Sequence, residues 1–175
     1  MRVFVLCTGR CGSVTLAEAL KPATNYTIGH ETRWGQVMPH RIDFPDDHIE
    51  IDNRFAWLLG SLGERYPDAF YVHLTRDRTR VAKSFNRRWA NATMRGYRAL
   101  SGLGEGLPTA FDYVEVVNGN IRHFLRNKEA VTVELGNDED FRELWQRIGA
   151  EGDLNEALGL WNKVHNSQPS GRQHV

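Results

Sequence analysis

Hydrophobic and polar positions follow two rhythms along this chain. Val3-Phe4-Val5-Leu6-Cys7 is a short unbroken apolar run rich in β-formers, the pattern of a strand buried on both faces. Phe70 to Thr75 (F-Y-V-H-L-T) repeats it, and Ala130 to Leu135 (A-V-T-V-E-L) gives a third strand. Tyr26 to His30 and the alternating His48 to Asp52 (H-I-E-I-D) are shorter candidates. Between these runs the spacing changes to that of helices. Val14 to Leu20 reads as a helix stopped by Pro22, and Arg54 to Arg65 carries the stripe Phe55, Leu58, Leu59 and Leu62. A helix follows Arg76-Asp77 to about Trp89. Further stripes are Phe111, Val114, Val117, Ile121 and Phe124, then Phe141, Leu144, Trp145 and Ile148, then Leu154, Ala157, Leu158, Trp161 and Val164. Gly96 to Pro108 holds four glycines and a proline and reads as a flexible loop.

Strands alternating with helices predict an α/β fold, a mostly parallel central sheet with helices on both faces. The 175 residues suit one domain, taken as 1–165, with a polar tail at 166–175 and no internal repeat. Lys plus Arg and Asp plus Glu balance at 22 each, so any anion site must come from local clustering, and neither bulk nucleic-acid nor membrane binding is expected. Cys7 and Cys11 are the two cysteines, too few and too close for a disulfide framework or a zinc site. Reduced thiols in a cytoplasmic protein are the plain reading. No targeting segment or bilayer-length apolar run is visible.

In a parallel sheet ligands sit beyond the carboxyl ends of the strands, which directs attention to the two clearest strand ends. At the first, Cys7-Thr8-Gly9-Arg10-Cys11-Gly12-Ser13-Val14-Thr15 joins strand to helix. Glycines allow a tight turn, successive amides and a helix N-terminus make an anion nest, and Arg10, Ser13 and Thr15 add a charge and hydroxyls. The loop lacks the Gly-Lys-Ser/Thr ending of a Walker A motif and the Cys-to-Arg offset of a phosphatase loop. The alternative is a βα turn that binds nothing. At the second strand end, Arg76-Asp77 opens a basic helix with Arg80, Lys83, Ser84, Arg87 and Arg88. That helix is either an anion site or a solvated face. A buried strand end is an expensive place for Arg76 without a partner, whether Asp77 or a ligand.

Together the two loops resemble those of the sulfotransferase family, whose architecture is like that of P-loop nucleotide-binding proteins. Arg10, Gly12, Ser13 and Thr15 fall on its 5′-phosphosulfate loop, and Arg76 and Ser84 on its 3′-phosphate motif, R-D-x6-S. The strand at Ala130 to Leu135 and the helix after it look like the family's late strand-helix unit, so the resemblance spans roughly residues 1–150. Arg78 stands where the family often has Pro, and the family's late glycine-rich clamp is not recognisable. The resemblance implies an enzyme that moves a sulfuryl group from 3′-phosphoadenosine-5′-phosphosulfate (PAPS) to a hydroxyl or amine, leaving adenosine 3′,5′-bisphosphate (PAP). Gly9, Arg10, Cys11, Gly12, Ser13, Val14 and Thr15 would hold the donor's 5′ end, Arg76 and Ser84 its 3′-phosphate. Arg10 would also stabilise the leaving group. No metal is required, and no metal-ligand cluster is visible.

A hydroxyl acceptor needs a general base. Glu31, after the second candidate strand, is the first choice, with His30 next and Asp52 or His48 behind; pairing with Arg33 is the bland role for Glu31. The acceptor, a small molecule or carbohydrate, is not specified, although Trp34, Trp57, Trp89 and Tyr97 could line its site or simply pack. Two other readings remain: an ATP-using kinase-like transferase, and a non-catalytic module that binds a nucleotide or a protein partner. A nucleic-acid role through the basic helix has only Phe85 and Trp89 as aromatic support. Oligomeric state is open.

Overall fold

A computed structural model describes residues 1–88 and 91–163; Trp89, Val164 and the tail at 166–175 lie outside the described residues. Five strands form one sheet in the order β2-β3-β1-β4-β5, with every pair parallel. They are β1 (Arg2–Leu6), β2 (Thr27–His30), β3 (His48–Ile51), β4 (Phe70–Thr75) and β5 (Ala130–Glu134). The helices are α1 (Ser13–Leu20), α2 (Leu59–Arg65), α3 (Arg78–Asn86), α4 (Ala92–Ser101), α5 (Leu107–Phe124), α6 (Asp138–Arg147) and α7 (Leu154–Trp161). The fold is therefore α/β.

Burial explains the strand sequences. Val3 to Leu6 at the centre of the sheet are completely buried, as an unbroken apolar run requires. β3 is buried along its whole length despite carrying His48 and Glu50, so its apparent alternation is not a wet face. Glu50 is fully enclosed and satisfied: it accepts from the Thr32 amide at 2.7 Å, the Thr32 hydroxyl at 2.8 Å and His48 Nε2 at 3.0 Å. Gly29 is obligatory beside it, because a Cβ there would lie 2.0 Å from Glu50 Oε2.

α1, α6 and α7 pack together, and α3, α4 and α5 form a second group. The crossover from β1 leads toward β2 and the one from β4 leads toward β5, so right-handed connections place the two groups on opposite faces. Stacking of Phe141 on Trp161 at 5.1 Å ties α6 to α7. The Tyr113 hydroxyl of α5 donates to the Thr8 carbonyl at 2.8 Å, fixing the start of the first loop from the other face. An aromatic cluster around Phe4, with Phe44, Phe55, Tyr66 and Tyr71, anchors the long β2–β3 connection.

Two expected elements differ. The stripe from Phe55 to Leu62 is not one helix: a 3₁₀ turn at Asn53–Trp57 is broken from α2 at Leu58, whose ψ of 16° leaves the helical range. Asp52 caps that turn, accepting from the Arg54 amide at 2.8 Å. The expected loop from Gly96 is helical as far as Ser101. Asn91 caps α4 through the Met94 amide at 2.8 Å, and Met94 and Tyr97 bury its inner face, outweighing the cost of one interior glycine.

Candidate functional site

The chain leaves β1 in one direction and β4 in the other, so the strand order reverses between them, the place where ligands bind in open parallel sheets. A cleft of about 660 Å³ lies there. Its wall includes Arg10, Gly12, Ser13, Val14 and Thr15 from the first loop and α1, and Arg76, Asp77 and Arg80 from the second strand end. Glu134, Leu135 and Gly136 after β5 and Trp161 to Lys163 at the end of α7 complete it.

The first loop is held in an unusual backbone path. Gly9, Arg10 and Gly12 have φ of 78°, 59° and 98°. At Gly12 there are two reasons for glycine: the positive φ, and Leu135, whose Cδ1 would lie 2.6 Å from a Cβ. Gly12 starts α1 without any side-chain cap. The first-turn amides of Val14 and Thr15 have no acceptor within the helix, and both residues border the cleft.

Cys11 is buried beneath the loop and not in the cleft wall. The Cys7 thiol and the amides of Cys11, Gly9 and Ser13 hold the Cys11 thiol below its ordinary pKa against the opposing effect of burial. Cys7 is correspondingly pushed up by Cys11 and by its own burial. Sequence spacing gave no sign of this arrangement.

The two strand-end motifs meet in space. Arg10 Nε donates to Ser84 Oγ at 3.1 Å, and Arg76 donates to the Arg10 carbonyl at 3.3 Å. Burial, Arg88 and Arg76 all lower the Arg10 pKa, so cations crowd one another here. Among the described residues no carboxylate pairs with Arg10, Arg76, Arg80 or Arg88. Asp77 spends its side chain capping α3, accepting from the Arg80 amide at 2.8 Å. A guanidinium has five N–H donors, so Arg10 and Arg76 each keep several for a ligand. The wall sets Arg10, Arg76, Arg80 and Lys163 against Asp77 and Glu134, and a net positive cleft of this kind favours an anion with more than one charged group.

On the other side of the loop stands a second cluster. Glu31 has φ of 55°, an uncommon conformation for a residue with a side chain. It does not pair with Arg33: its Oε1 accepts from Asn53 Nδ2 at 2.9 Å, and its Oε2 lies 2.9 Å from Arg54. Asn53 also touches the loop, with its Nδ2 3.2 Å from where a Gly9 Cβ would be. Arg54 binds Asp52 at 3.2 Å as well; burial acts against its charge, but Glu31 and Asp52 prevail and raise its pKa. His30 Nε2 lies 3.1 Å from Ser13 Oγ. Trp34 is 63% exposed beneath the Arg54 guanidinium, whose carbon is 5.5 Å from the ring centroid. His48 is taken up by Glu50 and by the Thr27 hydroxyl at 2.8 Å, away from the loop.

Six of the expected donor-site residues thus border the cleft: Arg10, Gly12, Ser13, Val14, Thr15 and Arg76. Gly9, Cys11 and Ser84 support them from behind or beside. Glu31 and His30 reach the loop from its opposite flank through Asn53 and Ser13. Asn53 and Arg54 are additions to the expected site: Arg54 opened the expected helix at Arg54 to Arg65, and Asn53 stood directly before it. No known family model and no curated protein sequence matches the chain. Fold and geometry define its class: a parallel α/β protein with a basic cleft at the reversal of strand order.

Proposed function

We propose that the protein transfers a sulfuryl group from 3′-phosphoadenosine-5′-phosphosulfate to a hydroxyl of a small-molecule or carbohydrate acceptor. The observation that carries this reading is the junction of the two motifs: Arg10 on Ser84 at 3.1 Å and Arg76 on the Arg10 carbonyl at 3.3 Å. A donor with phosphates at both the 3′ and 5′ positions of its ribose supplies two anionic ends, and the chain supplies two adjacent cationic loops.

In this reading Arg10 and the amides of Val14 and Thr15 hold the 5′ end. They take up the charge that grows on the departing phosphate oxygen. Arg76 and Ser84 hold the 3′-phosphate and so distinguish this donor from ATP. Sulfuryl transfer, like phosphoryl transfer, is an in-line displacement that depends mainly on positioning and charge stabilisation. Glu31 accepts the proton of the attacking hydroxyl, with Asn53 and Arg54 fixing its carboxylate.

Calorimetric titration with adenosine 3′,5′-bisphosphate, beside ATP with Mg²⁺, tests the donor site. Binding of the bisphosphate but not ATP, weakened roughly 10-fold or more in Arg76→Ala, is expected from the loss of a charged hydrogen bond. No binding of the bisphosphate would overturn the reading, and preferential ATP binding would favour a kinase-like transferase.

A further inference from the structure

A second concavity, of about 270 Å³, lies apart from the cleft, between the end of α5 and the exposed face of edge strand β5. Its wall comprises His73, Arg122, Leu125, Arg126, Lys128, Ala130, Val131 and Thr132. None of these residues is shared with the cleft.

The pocket follows from the topology. β5 is the edge of the sheet, and α5 lies over β4 through Asn118 on His73 and Phe124 on Tyr71. In the parallel register His73 stands beside Thr132, and Thr132 is exposed. A shelf is left between helix and edge strand, and the sequence lines it with cations. Arg122 in the last turn of α5 and Arg126 in the 3₁₀ turn that follows it, Leu125–Asn127, both border the shelf. Lys128 closes the shelf from the start of β5.

The wall contains no carboxylate. Among the described residues none of Arg122, Arg126 and Lys128 forms an ion pair. Several cations elsewhere on the surface are paired: Arg78 with Glu115, Arg98 with Glu105, Lys21 with Glu18 and Arg2 with Asp46. The shelf thus gathers cations around a concavity with no carboxylate in its wall, whereas the wall of the cleft also carries Asp77 and Glu134. At its inner side His73, only 3% exposed, is fixed through Nε2 by Asn118 Oδ1 at 3.0 Å. Burial and the nearby Arg122 both lower the His73 pKa, so the positive field of the shelf reaches the imidazole.

We propose that this shelf is a second oxyanion site, which takes a phosphate or sulfate group on Arg122, Arg126 and Lys128. The group is either the free inorganic ion or the head of a small monoester. The site is independent of sulfuryl transfer and stands or falls without it.

The test is an NMR titration of the full chain with inorganic phosphate, and separately with glycerol 3-phosphate, following the Thr132 amide and the His73 ring. The Gly12 amide reports the cleft at the same time. Saturable shifts at Thr132 and His73 are expected, with affinity falling at least 10-fold in Arg122→Ala/Arg126→Ala and unchanged in Arg95→Ala, which removes an exposed cation elsewhere. Equal affinity for both probes assigns the site to the ion, and tighter binding of glycerol 3-phosphate assigns it to an ester. Shifts that fail to saturate, that appear at Gly12 alone, or that weaken equally in Arg95→Ala would overturn the proposal.

Discussion

The two flanks of the first loop treat charge in opposite ways. On the β4 side Arg10, Arg76, Arg80 and Arg88 gather without a carboxylate partner among the described residues, and burial, together with Arg88 and Arg76, lowers the Arg10 pKa. On the β3 side the carboxylates are answered: Glu31 by Arg54 and Asn53, Asp52 by Arg54, and Glu50 by His48 and Thr32. A matched cluster holds geometry and asks nothing of a ligand. An unmatched one is stabilised when a ligand brings the missing charge. In the proposed reading the β4 flank binds the donor, and the β3 flank holds the Glu31 carboxylate in place on the other side of the loop.

The strongest way to break this contrast is to empty the unmatched flank. Arg10→Ala/Arg76→Ala should weaken adenosine 3′,5′-bisphosphate by roughly 3–6 kcal/mol, two charged hydrogen-bonding groups at about 1.5–3 kcal/mol each. The folded protein should change little in thermal midpoint, or gain slightly, since mutual repulsion is removed. Calorimetry and a melting curve check both halves. A large loss of stability would mean that the arginines hold the fold and not a ligand. Wild-type binding should also weaken as salt rises, because partly exposed charges are screened.

Glu31→Gln asks the reverse of the matched flank. Its amide oxygen can still accept from Asn53, but the NH2 that replaces Oε2 cannot accept from Arg54, so basicity and the Arg54 pair are lost together. Turnover on a hydroxyl acceptor should fall about 100-fold or more, the usual scale for a general base. Bisphosphate affinity should stay within a factor of about three, well under the 1.4 kcal/mol of a tenfold change. Full turnover with bound donor would remove Glu31 from the chemistry.

The two flanks were unequally legible in the sequence, for a physical reason. β1 and β4 are largely apolar runs, β5 alternates buried valines with exposed Thr132 and Glu134, and Arg10 and Arg76 sit directly after strand ends, where position along the chain fixes position in space. The matched flank is assembled by long-range contacts: Asn53 and Arg54 reach Glu31 across 22 and 23 positions, and no periodicity reports that. Their segment also mimicked a helix, since Phe55, Leu58 and Leu62 keep helical spacing through the break at Leu58. α4 was hidden by glycine content, although Asn91 before Met94 and Tyr97 is a cap followed by an apolar spacing. The path of the loop around Cys11 had no sequence signal, because it depends on three positive φ values in one short turn.

Gly29→Ala should break the matched flank by packing alone. The added Cβ would sit 2.0 Å from Glu50 Oε2, a side chain fully buried and held by Thr32 and His48. Overpacking of this kind costs about 1–3 kcal/mol, and displacing a buried carboxylate from its donors adds to it. Chemical denaturation should show the loss. Gly96→Ala on α4 is the control: no atom lies within 4 Å of its added Cβ, and alanine is the better helix residue, so stability should hold or rise.

The smallest effect sharpens the contrast through pH. Asp52 is buried, and that burial raises its pKa despite the Arg54 amide and guanidinium, which pull it down. A carboxylate whose folded pKa lies above its unfolded value binds its proton more tightly in the native state. Stability contributed by the protonated form is then lost as pH rises from the unfolded value, about 3.9, through the raised folded one. This slope is opposite in sign to that of a stabilising surface carboxylate, and one proton limits it to about 1.4 kcal/mol per pH unit. Asp52→Asn keeps an oxygen that can cap the 3₁₀ turn and removes the titration. Melting curves of both proteins across the acidic range should therefore converge toward low pH, with the wild type declining relative to the variant as pH rises. Divergence in the other direction would mean that the Arg54 pair outweighs burial at Asp52, and that the matched flank is held by its charges more than by the packing around them.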